Sequence, residues 1–177
     1  MGSEHELIKH GLKHDRRMQT DLYNTCYKRV FSSCLRILGD AHEAEDLMQE
    51  AFIHAFQRID TFRGESNIST WICRIAINKC LDHLKKRRVK LEFDEKWETK
   101  ATGSYDEKEE ISYDTQRILN AMKELPEGCR VIFSLHLFEE MDHAAIAKSL
   151  GIKEASSRAQ YARAKNRIKE LVKETYV

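Results

Sequence analysis

The stretch DHAAIAKSLGIKEASSRAQYARAKNRIKELVK, running from Asp142 to Lys173, has the pattern of a helix-turn-helix whose second helix is strongly basic. In such a unit the first helix must approach the second closely, which favours a small residue at Ala147. The tight turn favours glycine at Gly151, where positive φ costs little. After Ile152 a run free of glycine and proline carries Arg158, Arg163, Lys165, Arg167 and Lys169. That arrangement lets a helix lie in the major groove of DNA, but it also suits two helices of an ordinary bundle with a solvated basic face. On the second helix Tyr161, Ile168, Leu171 and Val172 are expected to pack inward. Ser156, Arg158, Gln160 and Arg163 are expected to face the groove, arginine pairing with guanine edges or phosphates and glutamine with adenine.

Upstream, Thr115–Met122 and Gly128–Phe138 read as two further helices. Pro126 suits the first turn of the latter, where its missing N–H costs nothing, and Val131, Ile132, Leu135 and Phe138 offer a core face. Residues 114–177 are therefore expected to form a four-helix domain ending in the helix-turn-helix.

The 177-residue chain has one proline, seven glycines and 33% charged residues, with no strand-like alternation, so its fold class is all-α with room for two small domains. The apolar stretches are broken by charges within a turn or two, and no apolar signal region opens the chain. A cytoplasmic protein without membrane insertion is expected. Cys26, Cys34, Cys73, Cys80 and Cys129 are odd in number and lack a Cys-x-x-Cys pair, which fits buried thiols better than disulfides or zinc. The spacing of the histidines gives a metal site no support, and no cofactor is expected. No phosphate-cradling glycine loop or Ser-His-Asp order is present, so the chain is not read as an enzyme.

A net charge of +1 hides an uneven distribution. Arg74, Lys79, Lys85, Lys86, Arg87, Arg88 and Lys90 form one basic block, opposed only by Asp82, and Lys153–Lys173 forms another. Between them Glu92, Asp94, Glu95, Glu98, Asp106, Glu107, Glu109 and Glu110 outnumber the lysines in a segment without an apolar stripe. Residues 90–113 are thus an expected flexible acidic linker, either a solvated connection or a mimic of nucleic acid in a basic channel.

The first half, residues 19–89, reads as a helical domain preceded by an N-terminal lead over residues 1–18, a flexible segment or a short extra helix. In the helix His42–Gln57, residues Ala44, Leu47, Met48, Ala51, Phe52, Ala55 and Phe56 form an apolar face, and Asp46, Gln49 and Glu50 lie opposite. Asp40 is its expected N-cap. A preceding helix, Asp21–Leu38, stops at Gly39. A third begins after the turn Phe62-Arg63-Gly64-Glu65-Ser66-Asn67, with Asn67 or Ser69 as cap, and ends in the basic block. There Trp71, Arg74, Asn78 and Lys79 place phosphate-binding charge beside groups able to stack on or hydrogen-bond a base, although the Trp71 ring equally suits the core.

The string DAHEAEDLMQEAFIHAFQRIDTFRGESNISTWICRIAINKCLDHLKKRRV (residues 40–89), followed by LPEGCRVIFSLHLFEEMDHAAIAKSLGIKEASSRAQYARAKNRIKEL (residues 125–171), closely resembles the extracytoplasmic-function sigma factors of the sigma-70 family. The likeness covers nearly all the chain from Asp21 onward. It rests on several motifs in the family's order: the AEDLMQEAF helix, the FRGES turn with its TW-x-x-R-I-A-x-N helix, the LPEG start and the terminal helix-turn-helix.

The resemblance implies a subunit that binds core RNA polymerase and directs promoter recognition, strand opening and transcription initiation. Asp46, Gln49 and Glu50 would dock on the clamp coiled coil of the beta-prime subunit, and the beta flap would be a further contact. Ser66 and Asn67 would pocket a flipped base of the minus-ten element, with Trp71, Arg74, Asn78 and Lys79 on the strand beside it. Ser156, Arg158, Gln160 and Arg163 would face the minus-thirty-five element. Promoter DNA and an anti-sigma factor complete the implied partners. The chain departs from the family's usual residues at Ala145, Ser149, Lys153, Glu154, Ala155, Ser156 and Ala159, which points to an unusual upstream sequence preference. Two other classes compete with this reading: a helix-turn-helix regulator acting as a dimer on duplex DNA, and a helical adaptor binding neither DNA nor polymerase.

Overall fold

The computed structural model describes residues 4–87 and 115–174. The acidic linker expected at residues 90–113, and Arg88 with it, lie outside the described residues. Among those described, eight α-helices and one 3-10 turn follow in the order α1 (Glu4–His14), α2 (Arg16–Leu38), α3 (Ala41–Gln57), the turn Ile59–Thr61, α4 (Ile68–Lys86), α5 (Thr115–Lys123), α6 (Glu127–Leu137), α7 (His143–Leu150) and α8 (Glu154–Glu174). They divide into two compact units, Met1–Lys86 and Arg87–Val177. The all-α, two-domain reading holds. No described helix is long and apolar enough to cross a membrane.

The first unit is built on α2, α3 and α4 packed against one another. Local chemistry sets their ends. Asp15 accepts from the Arg17 N–H to start α2, and Asp40 accepts from the Glu43 N–H at 2.9 Å to start α3, as its sequence position predicts. Gly39 closes α2 in the left-handed region, at φ 76°, with its N–H on the Leu35 carbonyl. The seam holds Val30, Cys34 and Ile37 of α2, Ala44, Ala51 and Phe52 of α3, and Ile72, Ala76 and Cys80 of α4.

All five cysteines are buried, and none is in a disulfide. Cys73 donates to the Ser33 hydroxyl at 3.4 Å. A hydrogen bond with Cys34, together with burial, pushes the Cys80 thiol far above its ordinary range, so it stays protonated and unreactive.

The N-terminal lead is a packed element. Leu12 of α1 is 2% exposed and packs with Ile59 and Phe62, and Gln19 Nε2 donates to the Leu12 carbonyl at 2.7 Å. Leu12, the Gln19 bond to its carbonyl and an ion pair of Lys13 with Asp60 dock the segment.

In the second unit α5, α6 and α7 all pack on α8. Ala121, Met122, Leu125, Cys129 and Phe133 meet Ala164, Ile168 and Val172, with Tyr161 and Leu171 packed beside them. Pro126 sits at the N-cap of α6, one position earlier than the first turn its sequence suggests. Asp142 caps α7 by accepting from the Ala145 N–H at 2.6 Å. Gly151 ends α7 with φ 68° and its N–H on the Ala147 carbonyl. The Ala147 side chain is 5% exposed, as close approach of α7 and α8 requires. Leu135 of α6 is fully buried, at 0% exposed. Leu135→Ala removes buried methyl groups and leaves a cavity, so it is expected to destabilise the unit by about 2–5 kcal/mol in a chemical denaturation experiment.

Candidate nucleic-acid interface

Three surfaces carry the residues singled out from the sequence. On α3 the apolar face is turned to α2 and α4, which leaves Asp46, Gln49 and Glu50 exposed together on the outer side. Gln49 Nε2 reaches Glu45 at 3.4 Å, and Glu50 pairs with Lys79 Nζ at 3.1 Å. Beside them stands Ile53, 57% exposed. The sequence reading passed over Ile53, although its place outside the i, i+3, i+4 stripe marks it as an outward apolar residue. The patch thus combines carboxylates, an amide and one apolar side chain, and its negative charge repels rather than attracts a phosphate backbone.

The second surface is the Phe62–Asn67 turn with α4. Asn67 is the helix cap: its Oδ1 accepts from the Ser69 N–H at 2.9 Å and from the Ser69 hydroxyl at 3.0 Å. Ser66, half-buried, donates to the Asn67 carbonyl at 3.4 Å. Trp71 is partly packed into the unit. Its ring packs against Phe62, with centroids 5.4 Å apart, and remains half-exposed. Arg74 and Asn78 are exposed one turn apart on α4. Lys79 is not beside them; it points to α3, where Glu50 holds it. The interhelical pair sets its direction, which helical spacing alone does not reveal.

The third surface is the N-terminal half of α8. Arg158 is exposed, and its guanidinium donates to Glu154 through Nη2 at 2.6 Å and Nε at 3.2 Å. Ser156 is half-buried. Gln160 does not face outward: it is 7% exposed, and its Oε1 accepts from the Cys129 thiol at 2.8 Å. A buried polar side chain keeps its hydrogen-bond partner, and here that partner lies on α6. Arg163 is half-buried, its charge close enough to Cys129 to oppose the upward shift that burial gives the thiol. The outward row is therefore Ala155, Arg158, Ala159, Lys165 and Asn166.

Behind this row lies an aromatic cluster. The rings of His136 and His143 stack with centroids 4.4 Å apart, and Tyr161 meets both edge-on. His136 Nδ1 donates to the Met141 carbonyl at 2.8 Å, and His143 Nδ1 is 2.9 Å from the Ser157 hydroxyl. Burial lowers the His143 pKa, the charges of His136 and Arg158 lower it further, and Glu154 and Asp142 act in the opposite direction. The folded unit then binds this proton less readily than the unfolded chain, whose histidine titrates near 6.5. Stability contributed here is present above that pH and is lost as pH falls below it. Thermal unfolding scans from neutral to mildly acid pH are expected to show this loss, and His143→Gln is expected to reduce it.

Comparison with known proteins joins the two units. The model of Sigma-70 region 2 matches residues 22–89, and that of Sigma-70, region 4 matches residues 115–168. The chain belongs to the sigma-70 family. Among curated sigma factors, the ECF RNA polymerase sigma factor SigW of Bacillus subtilis is 40% identical over 81 residues, covering 46% of this chain and 43% of SigW. The chain thus spans less than half the length of that relative. The ECF RNA polymerase sigma factor SigM of the same bacterium is 24% identical over 152 residues, covering 85% of this chain and 93% of SigM. These matches place this sigma-70 member in the extracytoplasmic-function group. In fold, it resembles the sigma factor RpoE solved in complex with the anti-sigma factor NepR from Bartonella quintana, with a TM-score of 0.53 and 20% identity over 87% of this chain and 96% of that one. Within the sigma-70 frame, α2, α3 and α4 belong to region 2, and α5 to α8 supply region 4.

Proposed function

We propose that the chain is a dissociable promoter-specificity subunit of bacterial RNA polymerase, acting in the cytoplasm by binding rather than by chemistry. Its first unit binds core polymerase through Asp46, Gln49, Glu50 and Ile53 of α3, against the clamp coiled coil of the beta-prime subunit. Ser66 and Asn67 form the edge of a pocket for an unstacked base of the minus-ten element, flanked by Trp71, Arg74 and Asn78. Lys79 acts in this set chiefly by fixing Glu50. The second unit meets the beta flap and places α8 on the minus-thirty-five element, where Ser156, Arg158 and Arg163 are the candidate contacts and Gln160 supports the helix from within. An anti-sigma factor is the proposed regulatory partner.

The observation that carries this reading is the occurrence of regions 2 and 4 in order on two separately packed units, with Asp46, Glu50 and Arg74 exposed on the first and Arg158 exposed on the second. Gel filtration of the purified chain with core polymerase tests it. Co-elution is the expected result. A chain that binds duplex DNA alone as a dimer and ignores core polymerase would be a regulator instead.

A further inference from the structure

The helix placed on the minus-thirty-five element is seated at its reading end by polar bonds rather than by apolar packing. Over residues 154–160, the first two turns of α8, the buried side chains are Ser157 and Gln160, both polar. Ala164, Ile168 and Val172, the buried apolar residues of α8, all come later in the helix. Gln160 bonds to a thiol, which is a weak donor. Ser157, 0% exposed and next to Arg158 in the chain, bonds to His143 Nδ1 at 2.9 Å.

A directional bond at this place sets the rotation of α8 about its own axis. Successive helical residues stand about 100° apart, so turning Ser157 inward sends Arg158 outward, and Tyr161, one turn on, returns to the inner side. His143 is itself fixed. It opens α7 beside the capping Asp142, and its ring stacks on His136 of α6 with the planes 15° apart. His136 in turn donates to the Met141 carbonyl in the connection between α6 and α7. Tyr161 closes the group, its ring at 74° to His136 and 64° to His143. A continuous set of contacts thus runs from α6 through α7 to the residue beside Arg158.

We propose that the His136–His143 stack is a positioning element for promoter recognition, which through Ser157 sets the angle at which Arg158 meets the minus-thirty-five element. The inference rests on the promoter-recognition reading and adds to it residues that act through Arg158.

The arrangement also makes that aim depend on protonation. Two stacked imidazoles repel when both are charged, and a charge on His143 further meets the Arg158 guanidinium and the positive end of α7. Glu154 and Asp142 act in the opposite direction, and Tyr161, its pKa raised by burial, faces both rings as a neutral phenol. Burial, the largest influence on His143, likewise favours the neutral ring. The bonded geometry therefore belongs to neutral rings and is lost as pH falls below about 6.5.

The test uses holoenzyme assembled from the full chain and core polymerase, on a promoter fragment whose upstream element is either intact or scrambled. The ratio of the two affinities reads the aim of Arg158, and any effect of pH on the polymerase itself cancels in it. Between about pH 7.5 and about pH 5.5 the ratio is expected to fall roughly tenfold for the unaltered chain. His143→Gln, which offers an amide to the Ser157 hydroxyl and takes up no proton, is expected to keep the ratio at both pH values. His143→Ala and Ser157→Ala are expected to show the low ratio at both. If an alanine variant does not fold, the pH profile of the unaltered chain against His143→Gln decides. A ratio that holds in acid for the unaltered chain, or falls equally in His143→Gln, overturns the proposal. So does loss of the circular dichroism signal of the helices over the same pH range, which would leave these residues a stabilising role alone. A ratio near one at neutral pH for the unaltered chain removes the minus-thirty-five reading itself.

Discussion

Arg158→Glu is expected to abolish transcription from promoters that depend on the minus-thirty-five element while leaving the second unit folded. Arg158 stands on the exposed face of α8, held forward by Glu154 through two hydrogen bonds. An arginine on a guanine edge contributes about 1–3 kcal/mol, so its removal alone costs roughly fivefold to 150-fold in affinity. Reversal adds repulsion between the new carboxylate and the DNA backbone. Within the helix it also sets two carboxylates at i and i+4, a cost of only about 0.2–0.5 kcal/mol, so the fold is retained. Electrophoretic binding of holoenzyme to promoter DNA at several salt concentrations measures both the lost affinity and a shallower salt dependence. Gln160→Ala is the internal comparison. It strips the buried Cys129 thiol of its acceptor and should lower stability without changing which bases are preferred.

Ile53→Asp is expected to weaken binding to core polymerase at least about tenfold with little change in stability. An exposed apolar residue beside a polar patch is the kind of side chain that anchors a protein interface, and truncating such an anchor typically costs about 2 kcal/mol or more. The same side chain, 57% exposed in the free chain, contributes little to the core. Combined Gln49→Ala and Glu50→Ala should weaken docking through the polar part of the patch, and the loss of Glu50 also releases Lys79. Competition of labelled and unlabelled chain for core polymerase gives the affinity, and circular dichroism gives the fold. Unchanged docking by both variants would move the polymerase interface off α3.

What the sequence showed plainly was whatever local chemistry decides. Asp40 and Gly39 mark their helix ends because capping and positive φ are properties of one or two residues, and Ala147 with Gly151 marks the close turn for the same reason. The α3 face was equally legible, since one strong apolar stripe fixes which side is outward. What escaped reading depends on partners distant in sequence. Gln160 turns inward because Cys129 of α6 meets it, and Lys79 turns toward α3 because Glu50 does. Helical spacing places a residue on a face within about a third of a turn, but a cross-helix bond decides which way a borderline side chain points.

Run-off transcription by core RNA polymerase on pooled genomic promoter fragments, with and without the chain and its Gln49→Ala, Glu50→Ala variant, tests the central claim most directly. The account predicts discrete transcripts that require the unaltered chain and fade with the variant. No transcript with matched core, together with no binding of the chain to that core, would contradict it.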